Sequence, residues 1–474
     1  MKICPYCKQL IADEQSYCPN CNKPLISNLG NLVSNNLTSG FDEPAVFSSI
    51  MEEEDEYYED TIINDREIEL EIKKLDEELE RKELLGDPIP GSLLLEKSSL
   101  YYKKRDLPNA IKSLELALRN FEKENDLFNV AICHNEIGLI QEDIGFFDQA
   151  IYHFNRSLEI LKDVNDNQKI IKVLNNLGNI YYSIKDLEQS YKYYQEALDL
   201  SKRDKLSYDE IKTANNLVEV LYLLKEYERI KRILSRNSEF FKHNEDAYGM
   251  IQVHIKYGKL YYFIGEDYNQ AYESLNSALQ LIERISEKLS IYMRAKLEWE
   301  CFLYLGKLYL LWGNLVDAEI YFLKSLEAVR IFEIGENINQ GNILESLAEL
   351  YDIKGEKDKT IEYYILACEI YYKYGDNTKC AQIKYKIGKI YLEDEKDTSN
   401  SIQFFEEALD LYEDLQYMKE AADVLHKLGD IYIDIRMPDI AKENFEKARN
   451  YYKELQDDYN FNLIEEKIRS LYNV

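Results

Sequence analysis

From about residue 93 onward, apolar and polar positions alternate with the period of a helix, and the whole pattern returns nearly every forty residues. The clearest copies read IGLIQ at 137–141, LGNIYY at 177–182, YGKLYY at 257–262, LGKLYL at 305–310, IGKIYL at 387–392 and LGDIYI at 428–433. Weaker ones stand at 98–102 (SSLYY), 217–222 (LVEVLY) and 347–352 (LAELYD). The small residue of each copy serves as a marker: Ser98, Gly138, Gly178, Val218, Gly258, Gly306, Ala348, Gly388 and Gly429, at steps of 40, 40, 40, 40, 48, 42, 40 and 41. Nine units of one design are implied.

Each unit has a second half. Twelve or thirteen residues beyond the marker comes a small residue, then a large apolar one four later and a small one three after that. Ala150, Phe154, Ser157 and Ala318, Phe322, Ser325 are examples, and the spacing puts all three residues on one helical face. Gly145, Gly265, Gly313 and Gly355 fall at one offset between the two halves, where a helix end takes a left-handed residue. A helical hairpin is therefore predicted for every unit. Val218 with Ile230 and Leu234 makes the fourth unit the least regular. The 48-residue step predicts longer helices over 278–292 and 296–312 rather than a long loop.

The pairing of Leu-Gly-x-x-Tyr on the first helix with Ala, aromatic and Ala on the second resembles the tetratricopeptide repeat (TPR). That family repeats every ~34 residues, and the extra residues here resemble its longer variant. The resemblance implies an all-α protein, a right-handed TPR α-solenoid of about nine hairpins over 92–460. Residues 461–474 continue the first-helix pattern with Arg469 in the small position, as a solvated capping helix would.

Ahead of the array, Cys4-Pro-Tyr-Cys7 and Cys18-Pro-Asn-Cys21 form two CxxC knuckles ten residues apart. Four thiolates so spaced can close a tetrahedral site with no open position, so the expected cofactor is a structural Zn2+. Residues 1–25 resemble a short zinc ribbon, with Lys8 and Asn22 where that family carries glycine. A segment this small has almost no core, and metal binding would supply its folding energy. Cys133, Cys301, Cys368 and Cys380 sit singly on repeat helices and read as buried thiols. Residues 26–60 read as a disordered acidic linker, including the run EEEDEYYED at 52–60. Residues 61–91 hold a charged capping helix, with Ile68, Ile72, Leu75 and Leu79 as its apolar stripe, and a break at Gly86-Asp-Pro-Ile-Pro-Gly91.

The net charge of −30 argues against a nucleic-acid partner, because phosphate binding rests on clustered Lys and Arg. No apolar run is long enough to span a bilayer, and the first residues lack a secretory h-region, so a cytoplasmic protein is expected. None of the phosphate-loop, dinucleotide, zinc-protease or nucleophile-elbow motifs occurs, and the five histidines are scattered; the reading is non-enzymatic, with no small-molecule substrate evident.

In TPR proteins the first helices line the concave surface. By that resemblance the groove would carry Asn135, Asn175 and Asn215 three residues before the markers, Asn179 one after, and Tyr182, Tyr222 and Tyr262 four after. Amides can bond an extended backbone, and tyrosines add apolar area with a polar tip. Asn179, Asn216 and Lys256 also match part of the family's carboxylate-binding pattern, while Asn175 and Gln252 replace two of its lysines. The leading reading is an adaptor or scaffold that binds a partner peptide or helix in this groove. The alternative is a regulator of the transcription or translation machinery whose ribbon contacts nucleic acid. Fold alone names no partner.

Overall fold

The computed structural model describes residues 2–3, 10–11, 65–104, 106–332, 337–393 and 397–471. Cys4, Cys7, Cys18 and Cys21, and the linker at 26–60, lie outside the described residues. Two short strands, β1 (Lys2–Ile3) and β2 (Leu10–Ile11), pair antiparallel with Ile3 opposite Leu10.

Among the described residues, twenty α-helices follow. Helix α1 (Asp65–Leu85) packs Ile68, Ile72 and Leu75 against Leu100. Nine hairpins come next: α2 (Gly91–Lys103) with α3 (Leu107–Glu124), α4 (Leu127–Asp143) with α5 (Phe147–Val164), and α6 (Asn167–Ser183) with α7 (Leu187–Arg203). They continue with α8 (Ser207–Leu223) and α9 (Tyr227–His243), α10 (Ala247–Ile264) and α11 (Tyr268–Arg284), and α12 (Ile291–Leu311) and α13 (Leu315–Phe332). The last three are α14 (Ile338–Lys354) and α15 (Lys357–Lys373), α16 (Asn377–Glu393) and α17 (Thr398–Asp414), and α18 (Met418–Asp434) and α19 (Pro438–Glu454). Helix α20 (Asp458–Leu471) buries Ile464 and Ile468 against the last hairpin.

The forty-residue step follows from local structure. Most helices run 17 or 18 residues and are joined by turns of two or three, so two helices and two turns return the chain to the same place. The turns share one design, a left-handed residue closing one helix and, in many of them, an Asp capping the next. Asn125-Asp126, Asn165-Asp166, Lys185-Asp186 and Glu245-Asp246 all do this, and each Asp side chain accepts the backbone N–H three residues on, at 2.8–3.1 Å.

The marker residue is small because the second helix drives an aromatic ring against it. A Cβ on Gly178 would lie 2.5 Å from the Tyr194 ring, and one on Gly429 would lie 2.4 Å from Phe445. Two serines at the first small position of the second helix also donate to the marker's carbonyl, Ser190 Oγ to Gly178 O at 2.7 Å and Ser401 Oγ to Gly388 O at 2.8 Å. In the fourth hairpin the sizes are exchanged. Val218 packs with Ile230 and Leu234, all fully buried, and the hairpin keeps its form.

The long step meets the expectation in part. Helix α12 reaches 21 residues, but α11 stays at 17; the other added residues form the connector Ile285–Ser290, which holds one turn of 3-10 helix at Ser286–Lys288. Ser290 caps α12 by accepting the Met293 N–H at 3.1 Å, and Ile285 and Leu289 pack into the core, so the connector is tethered at both ends. Stacking continues through it, because α12 contributes Leu297 and Leu305 to one core cluster and Ala295 and Leu303 to the next.

Cys133 and Cys301 are buried free thiols. Cys368 and Cys380 are instead joined by a disulfide between α15 and α16, with Cα atoms 4.7 Å apart. Their solitary places on separate helices concealed a contact that only the stacking creates.

Candidate functional site

The first helices of the hairpins (α4, α6, α8, α10, α12, α14, α16 and α18) follow one another along the array, and polar side chains link α4 to α6, α6 to α8, α8 to α10, α10 to α12 and α14 to α16. Asn176 Nδ2 donates to Asn135 Oδ1 at 2.9 Å, Asn216 Nδ2 to Asn175 Oδ1 at 3.1 Å, and Asn215 Nδ2 to Gln252 Oε1 at 2.8 Å. Asn175 Nδ2 also reaches Thr213 Oγ1 at 2.8 Å and the Ile171 carbonyl at 3.0 Å. The asparagines thus form a ladder across α4, α6, α8 and α10.

This corrects the expectation of a row of amides open to solvent. Asn135 is fully buried and donates to Glu136 Oε1 at 3.1 Å, while Asn215 is 6% exposed. An amide seated between two helices gains more from the neighbouring helix than from water, since leaving it unpaired there is costly. Asn175 and Asn179 are partly buried. Asn179 Oδ1 accepts from the Tyr194 hydroxyl of the same hairpin at 2.5 Å.

The tyrosines divide in the same way. Tyr222 is buried and its hydroxyl donates to the Lys256 carbonyl. Tyr182 and Tyr262 are partly exposed: Lys185 Nζ stands 5.6 Å from the Tyr182 ring, and Tyr262 meets Tyr304 edge-on at 5.3 Å.

Charged residues complete the wall, most of them belonging to none of the repeat's motifs. Lys259 bridges Glu219 at 2.6 Å and Glu300 at 3.0 Å, Lys256 pairs with Glu219, and the Lys259 ammonium lies 4.9 Å from the Tyr222 ring. Burial alone would raise Glu219, but Lys256 and Lys259 overcome it and hold its carboxyl below the usual range. Further along, Lys379 bonds Asn342 at 2.6 Å and Tyr371 at 2.8 Å, and Lys386 bridges Glu349 at 3.1 Å and Glu345 at 3.5 Å. The signal was available in the sequence: one residue past the marker, successive units carry Asn179, Glu219, Lys259, Lys307, Glu349 and Lys389. That opposite charges on adjacent helices would meet could not be read without the stacking.

A cleft of about 810 Å³ opens elsewhere, on the second-helix side between α5 and α7, lined by Lys162, Asn167, Tyr191, Glu196 and Arg203. It contains none of the groove residues.

The tetratricopeptide repeat model matches residues 171–204, which are α6 and α7. The array is a TPR-like helical solenoid. The model of the soluble NSF attachment protein matches residues 333–472, which hold α14 to α20. Each match covers less than half of the chain. No curated protein matches it. Among solved structures, a signal transduction ATPase with numerous domains, carrying a tetratricopeptide repeat sensor, from Pyrococcus horikoshii is 16% identical, with a TM-score of 0.51 over 79% of this chain. This chain spans 55% of the length of that protein. A tetratricopeptide repeat protein from Parabacteroides merdae is 18% identical over 59% of this chain and 93% of its own (TM-score 0.41). A Rap protein complexed with competence and sporulation factor is 17% identical over 83% and 99% (TM-score 0.38). These likenesses bear on the fold alone. Among the described residues, no helix is long and apolar enough to cross a membrane.

Proposed function

We propose that this chain is a non-enzymatic scaffold of the cytoplasm whose concave face, formed by α4 to α12, binds a peptide or helix of a partner protein. The observation that carries this reading is that partly exposed Asn175, Asn179, Tyr182, Lys259 and Tyr262 recur on consecutive first helices above a layer of buried amides and ion pairs that fixes those helices to one another. A rigid, preorganised wall loses little entropy when an extended segment is laid along it. Tyr182 and Tyr262 offer rigid apolar anchors with polar tips. The test is a photo-crosslinking residue placed at Tyr182 or Tyr262 in the full chain, with Tyr152, 59% exposed on α5, as the outer-face control. One partner captured from both groove positions and not from the control supports the reading. Equal capture from all three refutes it.

The same reading gives residues 1–25 a structural zinc held by Cys4, Cys7, Cys18 and Cys21. The reading rests on the two CxxC pairs and their spacing, whose four thiolates can close a tetrahedral site. Elemental analysis of protein purified under reducing conditions should return one zinc per chain. Chelation should leave the helical signal of the array nearly intact, because the array has its own core. Zinc-free protein, or iron in its place, would refute the assignment.

A further inference from the structure

Second helices of neighbouring hairpins do not all leave the same surface between them. Between α5 and α7 the lining is charged, with Lys162, Glu196 and Arg203. Between α11 and α13, the second helices of the fifth and sixth hairpins, it is aromatic. Trp312, just past α12, meets Tyr272 of α11 and Tyr309 of α12 edge-on, each at 5.7 Å, and Tyr309 stacks on Tyr321 of α13 at 5.4 Å. Aliphatic side chains extend this surface outward. Val316 is 68% exposed, Leu311 53% and Ile320 45%, and Val316 and Ile320, four residues apart, share one face of α13. A lone exposed leucine needs no explanation, but these side chains beside a cluster of rings drawn from three helices mark a contact surface. Trp and Tyr are the side chains that most often carry binding energy.

Charge around the rings has one sign at the turn between α12 and α13. Residues 260–283 and 308–323 contain no Lys or Arg. Of their carboxylates, Glu283 is paired with Arg294 and Glu319 with Lys354, while Glu266 and Asp267 border the neighbouring cleft with Arg229 and Arg232. Glu273, exposed next to Tyr272 on α11, and Asp317 on α13 form no ion pair among the described residues. Asp317 accepts from Asn314 Nδ2 at 2.6 Å, a bond that leaves its charge in place. A hydrogen bond with Tyr272 raises Tyr309, burial raises Tyr321, and the Asp317 carboxylate adds to both, which puts that charge beside the rings. At the other end of the cluster, Lys324 stands 5.5 Å from the Tyr321 ring and 5.6 Å from that of Phe302, so these rings already draw one ammonium.

The main chain here has nothing to offer an extended segment. Helix amides are bonded within their helices, and in the turn Gly313 N donates to Leu310 O at 3.0 Å and Asn314 N to Tyr309 O at 2.9 Å. An occupant must therefore satisfy its own backbone, as a helix does, and bring apolar side chains with cations beside them.

We propose that the surface between α11 and α13 docks a basic amphipathic helix of a partner protein, its apolar face on Leu311, Trp312, Val316 and Ile320 and its Lys or Arg side chains toward Glu273 and Asp317. The site lies on the second-helix side and is independent of peptide binding in the first-helix groove.

The probe is the fluorescein-labelled peptide KLLKLLKKLLKLLKKL, titrated against the full chain by fluorescence anisotropy at about 0.15 M salt. It should bind one to a chain. Its glutamate analogue ELLELLEELLELLEEL, and a peptide of the same composition whose leucines no longer share a face, should bind about tenfold more weakly or not at all. Val316→Lys with Ile320→Lys should cost about tenfold with an unchanged melting curve, because both side chains are exposed. Tyr152→Lys with Tyr459→Lys adds the same charge at exposed places on α5 and α20 and should leave the affinity unchanged. Should the Val316 and Ile320 pair disturb the fold, Glu273→Gln with Asp317→Asn reads the same surface by charge alone and should cost about threefold. Equal losses from the two lysine pairs would reduce binding to the net charge of the chain and overturn the proposal. No binding of the probe, equal binding of the rearranged peptide or the glutamate analogue, or full affinity without the charges of Glu273 and Asp317 would overturn it as well.

Discussion

Single residues in the first helices carry two roles that geometry separates. Asn175 spends its whole amide on α6 and α8, and Asn215 bridges to α10, so cutting both to Ala strands Asn216 Nδ2, Thr213 Oγ1 and Gln252 Oε1. A solvent-facing pair could be removed with little loss of stability. Seated as it is, this pair should cost about 1–3 kcal/mol in chemical denaturation, and an unchanged denaturation midpoint would refute the ladder. Glu136 gives a pH signature. Its side chain is fully buried, Oε2 has no partner, and burial pushes it up to about 8 from an ordinary 4.5 despite the Asn135 hydrogen bond. Between those values the folded chain keeps a proton that the unfolded chain has lost, so stability falls as pH rises through that window, at up to about 1.4 kcal/mol per unit. Glu136→Gln should therefore raise Tm at pH 8 and change it little at pH 4; the same gain at both values would show that titration plays no part.

At the scale of helices and turns, most of the architecture can be read from residues. Small markers, large side chains sixteen or so positions later and turn glycines define most of the hairpins, because a helix pair packed this closely must match a small residue to a large one. What could not be read is informative. Left-handed turn residues are glycine at 145, 265, 313 and 355, but Lys185, Lys205, Lys225 and Arg436 hold the same conformation at other turns. There the backbone bonds impose what the side chain disfavours, with an Asp cap beside them only after Lys185. In the turn after α8, Lys225 N donates to Tyr222 O at 3.1 Å and Glu226 N to Leu221 O at 3.0 Å, a closure that depends only on the backbone. Lys225→Gly should keep that closure, relieve the left-handed strain and stabilise the chain by about 0.5–1 kcal/mol. A destabilised variant would mean that the Lys225 side chain is itself required. The Cys368–Cys380 bond and the groove ion pairs were invisible for another reason: each joins two helices, and periodicity within one helix says nothing of its neighbour's register.

For the whole molecule, stability is distributed along a line. The core is divided into successive clusters, each shared by neighbouring hairpins, so a hairpin draws its stability from those beside it. Helix α20 closes the last cluster, where Ile464 and Ile468 cover Phe445, Ala448 and Tyr452 of α19. Arg449 pairs with Glu465 at 2.9 Å and Lys467 with Asp430, so the cap grips both helices of the last hairpin. Removing residues 458–474 exposes apolar side chains that no other element can cover. In a globular core that loss would lower the stability of every part together. In a linear array it should raise amide exchange in α18 and α19, fade through α16 and α17, and leave α4 to α9 at full protection. Hydrogen exchange read by mass spectrometry on the truncated chain decides between the two. A uniform rise across all helices would show one cooperative unit, and the groove formed by α4 to α12 could then be regulated from the far end of the array.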